Sequence, residues 1–250
     1  IQAYRIAENP EVMTPVMVNL DGFVLTHTYE LVDLPEQASV DKYIPYKDYP
    51  NKMDLDNPMS TCITAGPAWN TEFRYQQHCA IMNSAEAINE ADKEFEALFG
   101  RSYGGMVENY LCDDADAIIV TLGSVAGTTR IVVDDLRAKG YKVGLLKLRC
   151  IRPFPKDELK KILGNSKVVG VLEKDISFGY EGAVFTEVNS ALSTLDKMPK
   201  TYNFIAGLGG RNISKNDIKE AFEKIIAYGN NNENASNLEF VKLGCEEYGN

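Results

Sequence analysis

A regular alternation in the second half of this chain restricts its fold more than any other feature. Ala117–Leu122, Val143–Leu148 and residues 167–172 are short runs that are apolar almost throughout. Between them, residues 128–139 and 156–163 carry helical periodicity and are closed by Gly140 and Gly164. Strands that are apolar on both faces and alternate with helices predict an α/β fold, a mainly parallel sheet with helices on both faces. A helix over about 182–195, a strand over 202–206 and a last helix over 214–228 extend the pattern. That last helix opens on Ser214 with Asp217 as its capping signature and carries Ile218, Phe222, Ile225 and Ile226 as a buried stripe. Asn230, Asn231, Asn232 and Asn234 begin a polar tail over 230–250 that is expected to be mobile.

The first part of the chain is less regular. A short helix over 2–8 stops before Pro10, and the apolar run 15–20 followed by Asp21 and Gly22 predicts a buried strand and a turn. From Leu34 to Asn70 the chain holds Pro35, Pro45, Pro50, Pro58 and Pro67, which reads as an extended linker containing a domain boundary. Its aromatics Tyr43, Tyr46, Tyr49 and Trp69 imply that it lies along a folded surface, with Trp69 as an anchor. Asn83 and Glu86 resemble a capping box, and Ile88, Ala91, Phe95, Leu98 and Phe99 recur at helical spacing until Gly100. The acidic residues of that helix, Glu86, Glu90, Asp92, Glu94 and Glu96, read as a solvated face and not as metal ligands.

Composition excludes several function classes. With 26 Lys+Arg against 36 Asp+Glu the net charge is −10, which opposes nucleic acid and anionic membrane surfaces as partners. The longest apolar runs fall far short of the roughly 20 residues a membrane helix needs, so a soluble protein is expected. The 5 cysteines, Cys62, Cys79, Cys112, Cys150 and Cys245, are odd in number and scattered, a pattern suited to the reducing cytoplasm. With His27 and His78 as the histidines, no zinc or iron–sulfur site assembles locally. The opening residues Ile1 to Arg5 enter helical composition directly, so the chain is expected to begin inside a domain.

In an open α/β sheet the ligand crevice lies beyond the carboxyl ends of the strands, so the loops that follow each strand hold the candidate residues. The stretch Gly123, Ser124, Val125, Ala126, Gly127 can offer backbone N–H groups to a phosphate or simply make a tight turn. Arg152, held between Cys150 and the Pro153-Phe154-Pro155 segment, can clamp an anion or pair with an acid across a subunit boundary while Phe154 fills a core pocket. Glu173 stands at a strand end beside the Phe178-Gly179-Tyr180-Glu181-Gly182 turn, where an acid/base group is conceivable but lacks partners in sequence. Gly207, Gly209, Gly210 and Arg211 fit an anion nest or a sharp reversal equally. His27 reads as a hydrogen-bonded structural residue and His78 as a surface one, neither with a triad partner.

Taken in order, Pro15 to Phe23 with Thr26-His27-Thr28, Val120 to Ser124, Gly140 to Lys147, Arg152 to Pro155 and Glu173 to Gly179 resemble the alpha subunit of the pyruvate:ferredoxin oxidoreductase (pyruvate synthase) family. The resemblance implies that residues 1–34 are the end of a thiamine pyrimidine-binding domain and 35–105 a linker with an amphipathic helix. It further implies that 106–229 form a transketolase C-terminal-like domain, followed by the tail 230–250. The implied reaction is thiamine diphosphate-dependent decarboxylation of pyruvate, with electrons passed to ferredoxin and acetyl-CoA formed, or the reverse. A branched-chain 2-oxoacid or 2-oxoglutarate is the alternative substrate, and a freestanding anion- or nucleotide-binding module the alternative class. The family's substrate-contacting residues precede this stretch, so no catalytic, cofactor-binding or metal residue is assigned here. Thiamine diphosphate, Mg2+ and iron–sulfur (4Fe-4S) clusters are expected in the whole complex, with beta, gamma and delta type subunits, ferredoxin and coenzyme A as partners. Arg152, Phe154, Phe178 and Gly179 are expected at domain or subunit contacts, in a chain inactive alone.

Overall fold

The computed structural model describes residues 1–49, 52–60, 62–230 and 237–244. Pro50, Asn231, Asn232, Asn234 and Cys245 lie outside the described residues. The chain forms two compact units, Ile1–Gly105 and Met106–Asn250.

The first unit contains α1 (Gln2–Ala7), α2 (Val24–His27), α3 (Gln37–Tyr43) and the 33-residue α4 (Pro67–Phe99). Several expectations are corrected here. The long helix starts at Pro67, not at Asn83, because a proline at the first helical position is pre-organised and its missing N–H costs nothing there. The Asn83 signature therefore sits inside a helix, and Trp69 is two-thirds exposed on its first turn. Gly100 ends α4 in the left-handed conformation, its N–H bonded to the Glu96 carbonyl at 2.8 Å. The second correction concerns residues 15–20, which form no strand: Met17, Val18 and Leu20 are exposed, and no described strand of this unit offers an edge to satisfy their backbone.

The core of this unit is a stripe on α4, with Ala87, Ile88, Ala91 and Phe95 buried. Tyr43 closes over it, donating its hydroxyl to the Ala91 carbonyl at 2.6 Å and meeting Phe95 edge-on at 5.5 Å. Asp92 is buried beside this stripe and is not part of the solvated face. Its carboxylate accepts from Gln2 Nε2, Ser102 Oγ and the Tyr103 and Gly104 amides at 2.5–3.0 Å, tying α1 and the turn after α4 to one point.

The second unit is a six-stranded sheet in the order β1-β3-β2-β4-β5-β6. Its strands are β1 (Val107–Tyr110), β2 (Ala117–Leu122), β3 (Val143–Leu148), β4 (Val168–Glu173), β5 (Lys200–Ile205) and β6 (Leu238–Phe240). β1 runs antiparallel to β3 and all other pairs are parallel, as the alternation requires. The period of two along each strand divides the side chains between two cores. Ile119, Leu145 and Leu172 face α5 (Val125–Arg137) and α8 (Lys215–Asn230), whereas Ile118, Leu146, Val169 and Val171 face α6 (Lys156–Leu163) and α7 (Ala183–Leu192). Ser214 and Asp217 form the expected reciprocal cap of α8, at 2.5 Å from the Ser214 amide to the Asp217 carboxylate.

The two edge strands escape the sequence pattern. β1 is four residues with a half-buried, mixed composition, and β6 sits inside the stretch read as a polar tail. Edge strands pair on one side and pack on little, so their sequences carry a weak hydrophobic signal.

The Asp92 network yields a pH prediction. Burial opposes its ionisation, but the hydrogen bonds from Ser102, Gln2 and the two amides win and hold the carboxyl down at about 2. A depressed carboxyl contributes stability above its unfolded value that is lost as pH falls through the folded one. Asp92→Asn is expected to lower the stability of the chain by about 2 kcal/mol at pH 7 and by almost nothing at pH 2, read from urea unfolding at both pH values.

Candidate functional site

The parallel strands end together, and the order reverses between β2 and β4, the position where open sheets place a crevice. Each loop there is built differently. After β2, Gly123 adopts φ +72° and the Ala126 and Gly127 amides return to the Gly123 and Ser124 carbonyls, so this segment is a tight reversal into α5. After β5, Gly207, Gly209 and Gly210 all take positive φ and Arg211 is bonded to the Lys242 carbonyl, joining the turn to the segment after β6.

After β3, Arg152 forms a two-pronged ion pair with Glu187 on α7, at 2.8 and 2.6 Å. An acid partner for Arg152 thus lies within the chain. The pair holds the guanidinium above its ordinary range, yet the Arg152 side chain is 62% exposed, so the pair orients the loop more than it stabilises the fold. Phe154 is half-buried against the core on the α6 and α7 face.

After β4 comes the most constrained chemistry of this unit. The strand period puts Glu173 on the same face as Val169 and Val171, under the N-terminus of α7. It is 2% exposed. Its Oε2 accepts the Val184 amide at 2.7 Å, and its Oε1 accepts the Phe185 amide at 3.1 Å and Asn203 Nδ2 at 2.8 Å. Asn203, fully buried on β5, accepts the Gly182 amide at 2.8 Å with its Oδ1. Gly182 is required by contact: a Cβ there would stand 1.9 Å from Glu173 Oε1. The carboxylate therefore replaces a side-chain cap at a helix that has none of its own. Burial pushes the Glu173 carboxyl up to about 7 against the downward pull of its donors, and Asp175 adds to the rise.

The loop this network closes, residues 174–182, carries Phe178 at 89% exposure and Gly179 at φ +83°. Its own hydrogen bonds run from the Ser177 amide to the Glu181 carbonyl and from the Tyr180 amide to the Ser177 carbonyl. The sequence singled out Glu173 but not Asn203. The signal for Asn203 was a lone amide between Tyr202 and Phe204 in an apolar strand, which burial forces to find partners.

The remaining candidates stand apart. His27 is exposed, its ring bonded to the Phe23 carbonyl at 2.7 Å, and His78 is exposed on α4. The first unit has an open hollow of about 520 Å³ whose lining includes Glu8, Asp41, Tyr46 and Lys47. Two carboxylates against one ammonium do not fit a diphosphate. Among the described residues no three His, Cys, Asp or Glu side chains are grouped for a metal ion. Burial pushes the Cys112 thiol up to about 12, opposite to the thiolate a cluster requires. That hollow and the Cys112 thiol therefore do not match a diphosphate site and a cluster ligand respectively. Likewise, among the described residues no helix is long and apolar enough to cross a membrane.

Comparison with known proteins gives two family matches on the chain. The family described as "Pyruvate flavodoxin/ferredoxin oxidoreductase, thiamine diP-bdg" matches residues 1–93, and "Pyruvate:ferredoxin oxidoreductase core domain II" matches residues 115–218. Pyruvate synthase subunit PorA of Methanothermobacter thermautotrophicus is 44% identical over 218 residues, 87% of this chain and 56% of that protein. Ketoisovalerate oxidoreductase subunit VorA of Pyrococcus abyssi is 39% identical over 233 residues, 92% of this chain and 58% of that protein. A solved 2-oxoglutarate:ferredoxin oxidoreductase from Magnetococcus marinus superposes with a TM-score of 0.42 at 18% identity, covering 65% of this chain and 24% of that one. The chain spans little more than half the length of the curated relatives it matches.

The Gly182 contact gives a direct check of the site. Gly182→Ala should displace the Glu173 carboxylate and cost about 1–3 kcal/mol in urea unfolding, with faster amide exchange at Val184 and Phe185.

Proposed function

The chain belongs to the pyruvate:ferredoxin oxidoreductase family, and from that membership we propose that it is part of the alpha subunit of a thiamine diphosphate-dependent 2-oxoacid:ferredoxin oxidoreductase of the cytoplasm. The reaction converts pyruvate and coenzyme A to acetyl-CoA and CO2 while ferredoxin is reduced, or runs in reverse. Thiamine diphosphate, Mg2+ and the iron–sulfur clusters reside on other polypeptide of the complex, including beta, gamma and delta type subunits. This portion serves assembly and is inactive alone.

The observation that carries the assembly role is the apolar surface left in water. Met17, Val18, Leu20, Phe23, Leu31 and Leu34 are each at least 71% exposed within one stretch of the first unit. A patch of that kind is a contact surface waiting for its cover. It fits residues 1–34 as the end of a pyrimidine-binding domain, with 35–105 as linker and helix and 106–229 as a transketolase C-terminal-like domain. In the second unit, Phe178 and Gly179 at the tip of a locked loop, with Arg152 and Phe154 on the neighbouring loop, supply contacts to other polypeptides of the complex.

Pyruvate is favoured by the higher identity to the pyruvate synthase subunit, 44% against 39% for the ketoisovalerate enzyme. That second relative is the specific ground for a branched-chain substrate as the other reading. The test is reduction of a viologen dye by the native complex captured through this chain, with pyruvate and ketoisovalerate compared and the isolated chain run beside it. Coenzyme A-dependent reduction with pyruvate by the complex alone is the expected outcome. Reduction with ketoisovalerate only would move the substrate assignment, and capture without any 2-oxoacid activity would overturn the function. A Phe178→Asp chain is expected to capture at least tenfold less of its partner subunits, while its own unfolding free energy stays within about 0.5 kcal/mol, as for other exposed positions.

A further inference from the structure

A hollow in the first unit arises where a helix is stopped short. α3 ends at Tyr43, and Pro45 keeps the chain from continuing it, because a proline disfavours helical backbone at the residue before it. Residues 45–49 run on without helix or strand beside Glu8, the residue that ends α1. Between that segment, Glu8 and Asp41 of α3 lies the space of about 520 Å³. Ligand sites measure roughly 300–1,000 Å³, so the hollow is large enough for a guest.

The lining is anionic on balance. Glu8 and Asp41 stand against Lys47. Lys47 also acts on Glu94, whose carboxyl is held below its ordinary range first by the Arg5 hydrogen bond and further by Lys47. Asp48 is paired with Lys52 at 2.9 Å, which leaves the balance unchanged. Glu8 accepts the Tyr49 hydroxyl and Asp41 accepts Gln37 Nε2 at 2.7 Å. A carboxylate accepts at about four positions, so both keep room for further donors. Two tyrosine rings flank these acids, Tyr46 at 93% and Tyr49 at 37% exposure.

We propose that this hollow seats an arginine side chain of a partner polypeptide in the assembled complex. A planar guanidinium takes one carboxylate through two parallel N–H groups and lies against an aromatic face at the same time. A lysine ammonium is a point charge and uses fewer of these features. A metal ion finds too few ligands, since among the described residues no three His, Cys, Asp or Glu side chains are grouped. A small free amine finds too little cover, because ligand sites bury most of their guest and Tyr46 stands in water. An arginine carried on a polypeptide brings its own cover. The net charge of −10 favours the approach of a basic surface. That such a partner exists rests on the assembly reading above, whereas the chemistry of the hollow does not.

The seat is tested first on the full chain. N-acetyl-arginine amide is titrated while the ring resonances of Tyr46 and Tyr49 and the carboxyl resonance of Asp41 are followed by NMR. A saturable shift in the millimolar range is expected, about fivefold weaker for the lysine analogue and for Asp41→Asn, and absent for the uncharged norleucine analogue. Asp41 is exposed, so this variant is expected to keep its fold. The native complex captured through the chain supplies the second readout. Carbodiimide labelling of Glu8 and Asp41 should fall by about fivefold or more relative to the isolated chain, as carboxylates paired inside an interface lose access to reagent. Equal shifts with the arginine and norleucine analogues, or unchanged binding by Asp41→Asn, would overturn the site. Arginine-analogue binding with full labelling of both carboxylates in the complex would overturn the polypeptide as occupant. Capture of no partner at all would overturn that occupant together with the assembly reading. If labelling falls in a complex without 2-oxoacid activity, the function proposed above fails and the seat stands.

Discussion

A parallel sheet whose central strands are apolar on both sides can exist only if both sides are covered, and the second unit is organised by that requirement. β2 and β4 lie in the middle of the order, β4 buried throughout and β2 up to Leu122, and the helices that follow the strands are drawn onto one face or the other. Ile118 and Ile119, adjacent in sequence and both fully buried, point into different cores, so neither face can be lost without exposing the other strand partner. Gly170 shows how closely the cover fits, because a Cβ there would come within 3.1 Å of Ile225 and 3.3 Å of Phe204.

The same constraint explains the polar cluster around Glu173. A strand that continues its inward pattern to the last residue places a carboxylate, Glu173, in an apolar layer. Such a group persists only when its acceptor sites are filled, and the start of α7 supplies unsatisfied amides at that point. The helix cap and the buried acid thus solve each other's problem, and Gly182 leaves the space in which they meet.

The first unit follows a different economy of contacts. Its ordered centre is small, one stripe of α4 with Tyr43 and the Asp92 network, while its long apolar stretch stays uncovered. Residues 16–34 have the composition of a buried segment and the environment of an exposed one. Exposed apolar stretches of that kind are characteristic of surfaces that are covered in a larger assembly or by further chain.

The α/β alternation, the strand positions from Ala117 to Glu173 and the Ser214 cap were all legible in the residues, because period and composition act locally and each strand is apolar enough to declare itself. Asn83 misled because a capping pattern is weak beside a proline at a helix start, and the run 15–20 misled because apolar character does not say where a pairing edge will be found. The edge strands β1 and β6, the Arg152–Glu187 pair and the place of Asn203 join residues 30 to 41 positions apart, and no local pattern encodes such distances. Sequence by itself determined the layered architecture and the family, through hydrophobic period and the order of short motifs. Only the tertiary structure decided which carboxylate is buried, what holds it and which aromatic is left in water, because burial and hydrogen bonding depend on elements that meet only once the sheet has closed.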